Sequence, residues 1–113
     1  MEEQQEKETE TNIIEIRNRL SERMNDKLAE QIKTIFKGSG TEEYAIYFLK
    51  MCCEKYLNSV SVENNKQKEV CEALDEETAE LLLELLKKGG HLTKFYLKDV
   101  CNNKSTDKED REI

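Results

Sequence analysis

The sequence predicts an all-α protein, a compact bundle of five to six short antiparallel helices. Three observations predict it. The 113 residues include no proline, so the commonest helix breaker is missing. Apolar residues recur at spacings of three and four along most of the chain. Glycines and Ser, Thr, Asn or Asp capping residues cut that pattern into pieces of helical length.

Each element follows in order. Residues 1–11 are almost wholly polar and acidic, too poor in apolar side chains to offset the entropy of ordering, and are expected as a loose tail. Ile13, Ile16, Leu20, Met24, Leu28, Ile32, Ile35 and Phe36 then keep helical spacing. Repeated steps of four overshoot a full turn by about 40° each, so one straight helix would wind its apolar stripe around itself. A break near Asn25-Asp26 restores a single face. Two helices, 12–24 and 27–37, are expected, with Asp26 as the second one's N-cap. Lys37-Gly38-Ser39-Gly40 is a turn. Thr41 caps a helix reaching residue 57, apolar on nearly every side and therefore expected at the centre. Val60-Ser61-Val62-Glu63 leads to a short polar helix over 62–73, capped by Ser61. Asp75 caps the next helix, whose wide apolar face is Ala79, Leu81, Leu82, Leu83, Leu85 and Leu86 and which Gly89-Gly90 stops. A last helix covers 92–101. Residues 102–113 are polar like the first eleven and read as a second tail, leaving 12–101 as the folded domain.

Composition narrows the function. Charged residues make up 38% of the chain and hydrophobic ones 36%, with a formal charge of −7. Such a surface repels phosphate backbones, so nucleic acid is not an expected partner. No apolar run approaches the roughly 20 residues of a membrane span, and the acidic start is unlike a signal peptide. A cytoplasmic, or nuclear, location follows. In that reducing setting Cys52, Cys53, Cys71 and Cys101 are expected as thiols filling core positions.

No cofactor, metal or catalytic residue is expected. Cys52 and Cys53 are adjacent, the other cysteines are single, and no C-x-x-C pair exists. His91, the only histidine, lacks a positioned acidic partner and is read as a solvated or capping residue. Phosphate-loop, dinucleotide and nucleophile-elbow motifs are all missing. Charge distribution is what remains. From Glu72 to Glu84 there are six acids and no base, whereas Arg17 to Lys37 and Lys87 to Lys98 are basic. The expected site is therefore a protein-binding surface with an acidic face of Glu72, Asp75, Glu76, Glu77 and Glu80. A basic face opposed to it would comprise Arg17, Arg19, Arg23 and Lys27.

The second half carries a resemblance. Tyr56-Leu57-Asn58-Ser59-Val60-Ser61-Val62-Glu63-Asn64, then Lys68-Glu69-Val70-Cys71, resemble the second-to-third-helix region of caspase-recruitment domains, a branch of the death-fold superfamily. The stretch from Glu77 through Leu81-Leu82-Leu83 to Lys88-Gly89-Gly90 is similar to that family's fourth helix and following turn. Leu92-Thr93-Lys94-Phe95-Tyr96-Leu97 is similar to its fifth, with Phe95 as the buried aromatic. The resemblance covers residues 54–102. It implies an adaptor or regulator of cell-death or innate-immune signalling whose protein partner has the same fold, self-association being one form of that binding. The alternative is a small architectural subunit of a larger nuclear or cytoskeletal complex, which would bind through the apolar helix 41–57.

Overall fold

A break after Arg23 organises the first half of the bundle. A computed structural model describes the backbone of residues 2–101 and the side chains of residues 12–101. Helix α1 spans Glu2–Arg23 and α2 spans Asp26–Gly38. With the break in place, Ile13, Ile16, Leu20 and Met24 are buried on one side of it, and Leu28, Ala29, Ile32 and Ile35 on the other. The cap is Asn25 rather than the expected Asp26. Asn25 Oδ1 accepts from Leu28 N at 2.7 Å while its Nδ2 donates to Ala73 O at 3.0 Å. An amide both accepts and donates, which an ionised aspartate does not. The helix also continues back to Glu2 through the segment expected as a tail. Glu, Gln and Lys are good helix formers, and no glycine or proline interrupts them. The other expected tail, 102–113, lies outside the described residues.

Helix α3 spans Glu42–Leu57, with Thr41 as its cap accepting from Tyr44 N at 3.2 Å. It closes with a backward-bonded turn. Ser59 has φ +57, Ser59 N donates to Tyr56 O, and Val60 N donates to Lys55 O at 2.9 Å. Helix α4 is Asn65–Ala73, shorter than expected and capped by Asn64 instead of Ser61. Asn64 Oδ1 takes the N–H groups of both Lys66 and Gln67, at 2.9 and 3.1 Å, so the helix starts there. Helix α5 is Glu76–Lys88, capped by Asp75 through Thr78 N at 2.7 Å.

The Gly89-Gly90 stop has a steric basis. A Cβ on Gly89 would lie 2.5 Å from Thr93 Oγ1 and 2.9 Å from Leu85 O, and Gly90 takes φ +56. A single 3-10 turn, Gly90–Leu92, then passes into α6 over residues 93–101. Thr93 is fully buried and donates its hydroxyl to Gly90 O at 2.7 Å, which satisfies it there.

Helices α3 and α5 share the centre of the bundle, and α5 has the larger share of fully buried residues. Helix α5 packs against α1 and α3, and α3 packs in addition against α2 and α4, which also pack on each other. Thr78, Ala79, Leu81, Leu82, Leu85 and Leu86 are all buried on α5. On α3 only Ala45, Leu49, Cys52 and Cys53 are, at spacings of four, three and one. Tyr47 lies two residues from both Ala45 and Leu49, hence on the opposite side, and is 59% exposed. No strand occurs among the described residues, and none of their helices is long and apolar enough to cross a membrane.

Candidate protein-binding surface

The acidic and basic residues expected on opposed faces meet along the seams that join α1 to α5 and α2 to α4. Arg23, in the last turn of α1, reaches Asp75 Oδ2 with Nη2 at 3.1 Å and Glu77 Oε2 with Nη1 at 3.0 Å. Lys27 Nζ, in the first turn of α2, lies 3.5 Å from Glu72 Oε2 at the end of α4. Arg17 is committed elsewhere. Its guanidinium pairs with Asp99 on α6 and lies over the Tyr96 ring, 4.7 Å from the centroid. Of the expected basic face, Arg19 alone is exposed without an ion pair among the described residues. The opposed-face expectation is thus corrected. Packing α5 on α1 brings the two charge clusters edge to edge, and they largely satisfy each other.

What the pairing leaves over is acidic. Glu76, Glu80 and Glu84 stand one turn apart along the outer side of α5, exposed and in no ion pair among the described residues. Together with Asp75, Glu77, Leu81, Arg19 and Arg23 they line an open furrow of ≈ 630 Å³. Five carboxylates face two guanidiniums there. Like charges four residues apart on a helix repel, at about 0.2–0.5 kcal/mol per pair. Asp75 differs from its neighbours in being a cap. Hydrogen bonds from Thr78, then the Arg23 guanidinium, hold its carboxyl below the ordinary 3.8.

Groups that could carry covalent chemistry are poorly placed for it. Burial pushes the Cys52 thiol up to about 12 and Cys101 up to about 11, and it raises Cys53 and Cys71 as well. A thiol held protonated is a weak nucleophile. Cys71, the half-exposed one, points its Sγ at Cys52 O, 3.6 Å away. His91 is exposed in the 3-10 turn. Among the described residues no three of His, Cys, Asp and Glu converge to hold a metal ion.

Two features escaped the sequence reading. Phe95, expected as a buried aromatic, is 67% exposed. The signal was present: Leu97, Val100 and Cys101 already define the inner side of α6, and Phe95 lies about 200° from Leu97. The second is a lysine-edged recess between α2 and α6, whose residues are too far apart in sequence to be read together.

Fold and surface define a class, an all-α bundle with a charge-paired seam and a surplus of acid on one helix. No protein-family model, no curated protein and no solved structure matches the chain.

Proposed function

We propose that this chain is a protein-interaction module, an adaptor or regulator that binds a helical domain presenting a basic face. The observation that carries the reading is the row Glu76–Glu80–Glu84, three carboxylates on one helix side that form no ion pair among the described residues and share a furrow in which carboxylates outnumber guanidiniums five to two. The row repels itself, so it costs the free chain stability, and a cationic partner relieves that cost. The resemblance over residues 54–102, with a first helix broken after Arg23, supports placing the module among homotypic adaptors of cell-death or innate-immune signalling. In that setting the partner supplies its own cations, because Arg17, Arg23 and Lys27 are already engaged.

The test is affinity capture with the native chain beside Glu76→Lys/Glu80→Lys, with Glu54→Lys/Glu69→Lys as a control of equal charge change. The expected result is a helical partner with a basic face held by the native chain and the control, and lost by the α5 variant at near-native melting temperature. Equal retention by all three would remove the acidic row from the interface. The exposed aromatics Tyr44 and Tyr47 of α3 and Phe95 of α6 favour a second reading, an architectural subunit. It predicts a complex insensitive to the α5 charges and lost with Tyr44→Ser/Tyr47→Ser.

A further inference from the structure

The connections after α1, α2 and α4 are two or three residues long, but seven residues, 58–64, join α3 to α4. Both ends of that stretch are pinned. At one end Val60 N donates to Lys55 O at 2.9 Å, and at the other Asn64 caps α4. Between them residues 60–64 run without a turn or a bend. The sequence suits extension, because Val60-Ser61-Val62-Glu63 alternates β-branched and polar residues with period two. Val62 is half-buried, whereas Val60 is 49% exposed and Ser61 and Glu63 are exposed.

This stretch has the backbone of a strand and no strand beside it. The N–H and C=O groups of Ser61, Val62 and Glu63 make no hydrogen bond to any described residue. In an extended chain successive residues turn these groups to opposite sides, so alternate residues share an edge. Val60 N turns toward α3, which puts the groups of Val60 and Val62 on the α3 side and those of Ser61 and Glu63 on the outer one. Two donors and two acceptors therefore form a short free edge. No proline interrupts it, and Glu63, its one charged residue, favours a neutral or basic residue opposite.

We propose that residues 60–63 are a docking strand, paired in the bound state with the exposed edge strand of a β-sheet in a partner protein. Hydrogen-bond complementarity selects that occupant. A helix spends its N–H and C=O groups on itself, whereas a sheet edge presents free groups at the spacing of these four. The same reasoning sets a sheet above a second copy of this chain. The described residues include no strand, so two copies could form only a two-stranded ribbon, which is marginal by itself, while joining a sheet makes three strands or more. Pinning at both ends lowers the cost of ordering the segment on binding. None of its residues lines the acidic furrow, so this is a second site beside the acidic row.

The test uses the full chain with a dye-labelled cyclic β-hairpin whose free edge alternates threonine and valine, beside the same hairpin with its outward edge amides N-methylated. Fluorescence anisotropy is expected to show binding of the first and not of the second. Ser61→Pro/Glu63→Pro removes two N–H groups that donate to nothing in the free chain. Melting should stay near native while hairpin binding falls roughly tenfold or more, the loss expected for two hydrogen bonds. Ser61→Ala/Glu63→Ala keeps those backbone donors and should keep binding. Hydrogen exchange followed by nuclear magnetic resonance needs no variant to fold: the Ser61 and Glu63 amides should exchange fast in the free chain and slow when the hairpin is added. No binding of the hairpin, equal binding of its N-methylated form, a natively melting proline variant that binds unweakened, or slowing centred elsewhere would overturn the proposal. So would loss of hairpin binding in Glu76→Lys/Glu80→Lys, which would move the hairpin to the acidic row. Concentration-dependent self-association that Ser61→Pro/Glu63→Pro abolishes would overturn it as well, making a second copy the occupant.

Discussion

Helix α3 carries 11 apolar or aromatic residues among its 16 and buries four of them fully, whereas α5 carries six among 13 and buries five. Nearly every side of α3 carries an apolar or aromatic residue, yet only one narrow stripe is fully buried, and Tyr44 and Tyr47 are 56% and 59% exposed. The apolar residues of α5 are gathered on one broad face, and that face meets both α1 and α3. Burial is therefore not proportional to the apolar content of a helix. A helix buries the larger share of its apolar residues when its apolar arc is wide, continuous and matched by neighbours on both flanks. Outside that arc burial is graded: Ile46, Phe48, Tyr56 and Leu57 of α3 still pack against the core, and only Tyr44 and Tyr47 stay at the surface.

Three substitutions break or sharpen that contrast. The largest effect is expected at Leu82, fully buried where α5 meets its neighbours. Leu82→Ala should lower unfolding free energy by about 2–5 kcal/mol, read from urea denaturation, through lost contacts and the cavity left behind. A cost under about 1 kcal/mol would show that α5 has no share in the centre.

An intermediate effect is expected at the start of α5. Asp75→Ala removes the cap to Thr78 N and a contact of Arg23, and should cost about 1 kcal/mol at neutral pH, mostly from the cap. The folded pKa of Asp75 is depressed, so its contribution is complete above its ordinary value of 3.8 and fades as pH falls through the folded one. Denaturation curves of native and variant chains should therefore converge in strong acid. A gap that widened on acidification would contradict the cap.

The smallest effect is expected at Tyr47→Ser on the outer side of α3, within about 0.5 kcal/mol of the native chain by thermal melting. A large loss would mean that this side is covered after all.

Much of this was readable in the sequence, and what was not readable has a common cause. The break before α2, the caps at Thr41 and Asp75 and the stop at Gly89-Gly90 are local, set by side chains acting on backbone groups a few residues away. The caps at Asn25 and Asn64 were missed by one and three positions because neighbouring Asp26 and Ser61 also qualify chemically. At Asn25, Ala73 O, remote in sequence, accepts a bond that the amide donates and an ionised aspartate could not. For the surface, the acids of residues 72–84 were legible as a cluster. That Arg23 and Lys27 would turn inward to meet them was not. The recess between α2 and α6 joins Lys33 to Lys94 and Lys98, and no pattern within either helix reveals the other.

By itself the sequence determined what short-range physics controls: an all-α fold, six helical segments, where most of them end, and how much charge of each sign the surface must carry. Tertiary packing alone decided how deeply each helix is buried, which charges are spent on one another, and which apolar groups remain exposed. The reason is range. Hydrogen bonds and steric limits act over one turn of helix, whereas burial and ion pairing depend on which remote segment arrives alongside, and that is settled only when the whole bundle closes.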